Sequence, residues 1–478
     1  MAGAATAEVK ETSKPGVALA VLSLAGCAYA LLQSLVVPAL PVLQHDLHTS
    51  TSGVAWVFTS YLLAASVVTP IAGRLGDMFG KKRVLVIVLG CLAAGSALGG
   101  LATTLPVMIT ARAIQGIGGA IFPLAFGIVR DQFPQKRVAF AIAIISGILG
   151  IGGGLGIVLA GPILNHADYH WLFWIPLIVT LITVVAAIFL VPESTVRAPG
   201  SVDWLGAALL SGWLIALLLA VSEAPTWGWG SPKTIGLMLL AVALAVAWVW
   251  AESRAEHPLV DMTMMRLRGV WTTNLAALLV GFGMYSLFVL IPEYVQAPTS
   301  TGYGFGASVT ESGFYLIPST LMVMVFSPIG GRLSSRVGSK VPLVAGAAIV
   351  AVAFVILALW GASASVYIAS TFAGIGVGLA FAALANLIIE AVRPDQTGVA
   401  SGMNAIVRLI GGAIGSEIAA SILAASVLAS GYPTETAYKV VFSVWAVVVG
   451  IGVIASLAVP GGVRHGVVKA RAAASTGG

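Results

Sequence analysis

The chain has 478 residues, of which 59% are hydrophobic and only 9% charged, and its mean hydropathy is +1.02. Soluble proteins carry roughly 25% charged residues, so this composition excludes a water-surrounded globule, a disordered chain and a nucleic-acid-binding domain. It defines an all-α integral membrane protein, whose net charge of +6 is informative through its placement, because excess Lys and Arg mark the cytoplasmic side.

A bilayer core of about 30 Å takes roughly 20 apolar residues per helix. After the polar tail 1–16, apolar runs predict fourteen spans near 17–40, 54–73, 84–104, 106–129, 138–162, 170–191, 204–222, 233–251, 271–296, 311–330, 341–362, 364–389, 398–426 and 439–460, with a second tail at 461–478. The first run is too long for the core of a signal peptide and no small-residue cleavage site follows it, so it is expected to stay in the mature protein. An even number of spans puts both termini on one side. With both in the cytoplasm, twenty of the twenty-four Lys and Arg lie inside, only Lys233 and Lys439 lie outside, and Arg112 and Arg408 are left within spans. That asymmetry supports the topology. Cys27 and Cys91 sit inside apolar runs and form neither a disulfide framework nor a metal site. The six histidines, His45, His48, His166, His170, His257 and His465, fall in loops or at span ends.

The chain also repeats itself. Pro70-Ile-Ala-Gly73-Arg74-Leu75-Gly76-Asp77-Met-Phe-Gly80-Lys81-Lys82 returns 258 positions later as Pro328-Ile-Gly-Gly331-Arg332-Leu333-Ser-Ser335-Arg336-Val-Gly338-Ser-Lys340. Each copy joins the second and third helices of a six-helix unit. Arg112-Ala-Ile-Gln115-Gly116-Ile-Gly118 faces Ser370-Thr-Phe-Ala-Gly374-Ile-Gly376 at the same offset, a weaker echo. This predicts an N-terminal half at 17–191, an inserted helix pair with flanking loops at 192–270 and a C-terminal half at 271–460. Parallel repeats of this kind make transporters, with a site near midplane between the halves.

Gly73-Arg-Leu-Gly-Asp77-Met-Phe-Gly80-Lys81-Lys82-Arg83 resembles the signature cytoplasmic loop of the major facilitator superfamily. Its glycines permit a tight turn and close helix approach, and Asp77 can pair with basic residues or with the positive N-terminus of a neighbouring helix, latching one half to the other; Arg130 and Asp131 belong to the same gating set. The competing reading is a charged loop that only sets topology. Arg112 with Gln115, Gly116, Gly118 and Gly119 is similar to the Arg-containing motif of proton-coupled antiporters. An Arg inside a span costs at least about 2.5–3.5 kcal/mol on insertion scales, so it either serves coupling or is tied to backbone carbonyls across the bundle. Gly147, Gly150, Gly152, Gly153, Gly154, Gly156 and Gly161 resemble the antiporter motif of drug exporters, with Ile157 where that family carries proline, and equally fit plain close packing. Fourteen spans with the paired insertion narrow the resemblance to the fourteen-helix drug:proton antiporters, over essentially the whole chain.

One departure matters. That family's first span usually places an Asp, and later an Asn, before Leu-Pro; here Leu32 and Val37 stand there, ahead of Leu40-Pro41. Proton coupling then needs another acid, and Glu417 and Glu293 are the candidates, beside the intramembrane Arg112 and Arg408; Glu311 and Glu390 lie nearer water. Tyr29, Gln33, Ser34, Gln115, Asn274, Tyr285, Gln296, Tyr315 and Asn386 are candidates for an amphipathic cavity suited to aromatic or cationic compounds, although a single aromatic is as readily packing. The resemblance implies a monomeric exporter of amphipathic small molecules in the cytoplasmic membrane, exchanging them for protons by rocking of the halves, with no cofactor and no nucleic acid. A facilitator or importer of a metabolite and a lipid exporter remain alternatives, as does a membrane-embedded enzyme, although no H-E-x-x-H, G-x-S-x-G or P-loop motif is present.

Overall fold

A computed structural model describes residues 15–49, 51–194, 203–256 and 258–460. Lys10, Lys14, Arg197, Arg464, Lys469 and Arg471 of the inner basic set, with His257 and His465, lie outside the described residues. Among the described residues, fourteen helices are long and apolar enough to cross a membrane. In chain order they are α1 Pro15–Leu35, α2 Thr51–Phe79, α3 Lys81–Gly100, α4 Leu105–Gln132, α5 Gln135–His166, α6 Trp171–Leu190, α7 Trp204–Trp227, α8 Pro232–Glu252, α9 Arg268–Gln296, α10 Thr310–Val337, α11 Lys340–Leu359, α12 Ser363–Ala391, α13 Thr397–Ala424 and α14 Glu435–Ala458.

Several boundaries differ from the hydropathy reading, each for a local reason. The first span ends at Leu35, and a separate short helix follows at Leu40–Asp46 beyond Pro38. The second and tenth run about two turns further than predicted. The signature segment is therefore helix up to Phe79, and only Gly80 is the break. Gly80 (φ +111°) and its repeat partner Gly338 (φ +91°) take the positive φ that residues with a Cβ avoid, so both copies turn at the same glycine. The fourth span is interrupted by a 3-10 turn at Ile117–Ala120. Its glycines are pressed against α1 and α2: a Cβ on Gly116 would lie 2.5 Å from the Tyr61 carbonyl, and one on Gly118 would lie 2.7 Å from the Tyr29 ring. Helix starts are capped by side chains, with Asp203 accepting from the Gly206 amide, Ser231 from Thr234 and Thr434 from Ala437, and a Ser308–Glu311 capping box opens α10.

In lipid the drive to pack helices is close contact rather than escape from water, and it favours small residues at interfaces. One core joins Leu22, Leu32, Leu89, Leu92 and Phe173 within α1–α6, and a second joins Phe354, Tyr438, Phe442 and Trp445 within α9–α14. The two bundles meet along α5 and α10. On that seam a Cβ on Gly147 would lie 2.7 Å from Ser327, one on Gly150 would lie 2.6 Å from Val323, and Gly154 and Gly161 abut Thr320 and Thr310. Gly152 and Gly156 face α1 instead, where Ser34 Oγ donates to the Gly152 carbonyl at 2.9 Å. The glycine stripe thus serves two helix contacts at once.

Candidate functional site

Two features lie between the halves: a sealed end and a central cavity. The seal is at the end of the bundle that carries Lys82, Arg83, Lys136, Arg137, Arg332, Arg336 and Arg393, called here the basic end. Gly73 and Gly398 bring the backbones of α2 and α13 together, since a Cβ on either would lie 2.6 Å from the other's carbonyl oxygen. Next to this contact Asp77, fully buried, accepts from the amides of Gly398 at 3.1 Å and Val399 at 3.4 Å. A carboxylate thus caps the positive N-terminus of α13. Asp77 also pairs with Lys81 at 3.3 Å, and Lys81, likewise fully buried, reaches Asp131 at 2.9 Å. Asp131 accepts from the Ser194 hydroxyl as well. Lys81 lies between the two carboxylates, Arg130 is a second cation beside them, and the N-terminus of α13 faces Asp77.

Arg130 makes the complementary contact. From the last turn of α4 it donates to the carbonyls of Val392 at 2.8 Å and Arg393 at 3.2 Å and to Thr397 Oγ1 at 2.5 Å. A cation therefore sits at the C-terminal carbonyls of α12 while an anion sits at the N-terminus of α13, each matched to its helix end. Glu193, which the sequence did not single out, accepts from the Lys82 amide at 3.0 Å. A Cβ on Gly80 would lie 2.8 Å from that carboxyl, so the glycine is needed for space as well as for its dihedral. Arg83 is exposed and makes no part of the seal.

The central cavity is lined from the N-terminal half by Tyr29, Gln33, Ser66, Thr69, Phe122, Phe126 and Ser146, and from the C-terminal half by Tyr285, Phe381, Ser401, Asn404 and Arg408. The Arg408 guanidinium lies over the Phe381 ring, 4.4 Å from its centroid, with Tyr285 as its hydrogen-bonding neighbour. Among the described residues, no Asp or Glu lines the cavity.

Of the nine cavity candidates, the structure brings Tyr29, Gln33 and Tyr285 to this space. Ser34 turns to α5, and Gln115 donates to Ser96 and accepts from Arg112. Asn274 accepts from Asn404 at 2.9 Å, and Asn386 donates to the carbonyls of Ala139 and Ala382. Gln296 donates to Ser312, while Tyr315 bonds Ser363 and stacks on Tyr367 far from the cavity lining. Helices that are apolar all round give no preferred face, so a polar residue's direction could not be read from spacing.

The ionisable candidates separate in the same way. Arg112, fully buried, donates to the carbonyls of Val57 at 3.0 Å and Leu32 at 3.1 Å and to Gln115 at 2.8 Å, and lies 4.2 Å above the Tyr61 ring. This is a tether joining α1, α2 and α4, with no acid in contact. Glu417 is half-buried on α13, with Glu223 of α7 as its charged neighbour. Glu293 lies on the outer third of α9, exposed and hydrogen-bonded with Tyr438. Glu311 and Glu390 are exposed too, the former in its capping box and the latter accepting from Ser339.

Two six-helix bundles around a shared cavity, closed at one end by contacts that cross from one bundle to the other, form a membrane transporter of the alternating-access type. The chain belongs to the Major Facilitator Superfamily, whose family model matches residues 22–416, and is a transporter rather than an enzyme. The tetracenomycin C resistance and export protein of Streptomyces glaucescens is 31% identical over 408 residues, covering 83% of this chain and 74% of that protein. The multidrug transporter protein MdtP of Bacillus subtilis (strain 168) is 29% identical over 390 residues, covering 80% and 71%. Among solved structures, the human organic anion transporter MFSD10 (TETRAN) superposes with a TM-score of 0.67 at 15% identity, covering 92% of this chain and 99% of that one, a likeness of fold.

Proposed function

We propose that this protein exports amphipathic small molecules, drugs or antibiotics among them, across the cytoplasmic membrane in exchange for protons. The observation that carries the reading is the aromatic cavity between the halves behind a built seal at the basic end. Cytoplasmic placement of that end follows the positive-inside asymmetry and puts both termini in the cytoplasm. The cavity is then shut toward the cytoplasm, the arrangement in which an exporter gives up its cargo outside. The export named for the relative from Streptomyces supports the direction.

The proton titrates away from the cavity, since no carboxylate among the described residues lines it. Glu417 is the favoured carrier: it lies on α13, the helix whose N-terminus Asp77 holds, so its protonation acts on an element of the gate. Alternating access requires only one copy, and the protein is read as a monomer. The test is a susceptibility panel against diverse drugs in an efflux-deficient host, with and without this protein, together with proton-driven dye uptake into everted vesicles. Raised resistance and pH-gradient-dependent uptake are expected. Undiminished gradient-driven uptake by both Glu417→Gln and Glu293→Gln would remove those acids from the coupling path.

A further inference from the structure

Among the described residues, several hydrogen-bond donors in the cavity have no protein acceptor. Arg408 Nε is buried and unpartnered, and so are the hydroxyls of Ser146 and Ser401, whose residues are only 4% and 5% exposed. All three residues line the same space, Ser146 from the N-terminal half and the other two from the C-terminal half. Buried polar groups are almost always satisfied, and one left without a partner costs free energy unless something else meets it. A guanidinium has five N–H donors and no acceptor. It therefore seeks an oxygen that is negative or strongly accepting, bound most firmly in a two-point, in-plane fashion. Rings stand on both sides of it, Phe122 and Phe126 on α4 and Tyr29 on α1, with Tyr285 and Phe381 opposite. A lipophilic cation meets no carboxylate here and is repelled by Arg408.

We infer that the cavity selects planar aromatic anions, molecules whose ring system carries a phenolate, enolate or carboxylate oxygen that Arg408 binds and that Ser146 and Ser401 help to hold, in preference to lipophilic cations. This deepens the exporter reading and rests on it. The Phe381 ring beneath the guanidinium keeps the plane of Arg408 fixed, so the ligand's oxygen approaches along the free edge. Because Ser146 and Ser401 lie on different halves, a ligand that bonds both bridges the interface.

Two xanthene dyes with nearly the same ring skeleton and opposite charge test this: fluorescein as the anion and rhodamine 123 as the cation. Binding to the purified full-length protein in nanodiscs is read by fluorescence polarisation, and export by dye efflux from cells lacking their own pumps. Fluorescein is expected to bind at least about tenfold more tightly than rhodamine 123, the worth of one charge-assisted contact. Arg408→Gln abolishes or reverses that preference, and Arg408→Lys keeps part of it. The joint variant Ser146→Ala, Ser401→Ala weakens fluorescein several-fold, and thermal melting in detergent shows which variants remain folded. A wild-type preference for rhodamine 123, or no binding of fluorescein, overturns the inference. So does an unchanged preference in a folded Arg408→Gln. Efflux of rhodamine 123 without fluorescein would reject the anion selectivity and leave the exporter standing, whereas an unaltered susceptibility panel is what would remove the exporter itself.

Discussion

Asp77→Asn should open the basic end. Asp77 makes two kinds of contact, and they bear on different equilibria. Its pairing with Lys81 at 3.3 Å lies within the N-terminal half and is present whether the basic end is open or closed, so losing it lowers stability in both states. Its hydrogen bonds from the Gly398 and Val399 amides at 3.1 and 3.4 Å cross between halves and exist only when that end is closed. Asn keeps the shape and one acceptor oxygen but removes the charge facing the α13 N-terminus. A partly buried charge at a helix end is worth up to about 2 kcal/mol, so the closed-to-open ratio should fall about 30-fold, and a ratio of about 100:1 would become about 3:1. Lys81 retains Asp131 at 2.9 Å, which guards against a stranded buried cation. The assay is a distance distribution between spin labels placed at Lys136 and Arg336, both exposed and on opposite halves at the basic end, after replacement of Cys27 and Cys91. Wild type should give one short distance, and Asp77→Asn should add a long one. An identical distribution in the two proteins would refute the assignment of Asp77 as an interdomain latch.

Arg130→Ala should add a similar open population, and combining it with Asp77→Asn should leave the closed form a minority, checked by the same spin-label pair. Gly398→Val forces a side chain into the Gly73 carbonyl 2.6 Å from its Cβ, so export should be lost with the protein still in the membrane, measured by dye efflux alongside a membrane-fraction blot. Arg112→Ala removes the tether to the Val57 and Leu32 carbonyls and leaves Gln115 Oε1 buried without its donor, at a cost of about 1–3 kcal/mol. The detergent melting temperature should fall, and Arg112→Lys should recover little, because one ammonium cannot span two carbonyls, Gln115 and the Tyr61 face. Asp261 lies outside the spans. Burial raises its pKa, but hydrogen bonds from Thr263, Met264 and the Gln396 side chain outweigh that and hold it below the usual carboxylate value. The sign follows: its contribution to anchoring the segment before α9 is complete above about pH 4, the ordinary Asp value, and is lost as pH falls through the depressed one. Proteolytic protection of that segment should therefore be flat from neutral pH down to about 4, and Asp261→Asn should weaken it throughout.

Much of this architecture is legible in the chain because lipid leaves few choices. Long apolar runs must be helices, and Gly80 and Gly338, 258 residues apart, announce the same turn twice. The chemistry of Asp77 was legible too, since a carboxylate among glycines has few partners other than a base or a helix end. The extent of α2 was not: Arg74 and Asp77 read as a water-exposed loop, whereas the α2–α13 contact buries Asp77 completely. Burial there comes from a helix more than 300 residues away in sequence, which no local window contains. The direction of Ser34, Gln115 and Asn274 was hidden for a related reason, since each bonds a neighbour brought in by tertiary packing. Arg408 was visible as a charge out of place, but its meaning depended on what stands around it, and the lack of acid in the cavity among the described residues is a property of seven helices together.

The inserted pair has no counterpart in the repeat, so its place has to be argued from packing. Leu210, Leu214 and Leu218 of α7, with Trp248 of α8, form one core with Met403, Ile406 and Ile410 of α13, and Leu63 and Ile71 of α2 pack on its edge. Trp229, in the turn between α7 and α8, donates to Ser421 of α13 at 2.7 Å. The pair therefore lies over the seam between α2 and α13, where Gly73 meets Gly398. Without it that seam would face lipid directly, and the polar residues near it would lie closer to hydrocarbon, which is costly. Because α7 touches one helix of each half, separation of α2 from α13 must slide or release one of its two contacts. Leu63 and Ile71 are only partly buried against this core, whereas Ile406 and Met403 are nearly sealed within it. The contact that yields should be the one to α2, so the inserted pair travels with the C-terminal half. Cross-linking α7 to α13 should then leave efflux intact, and cross-linking α7 to α2 should stop it.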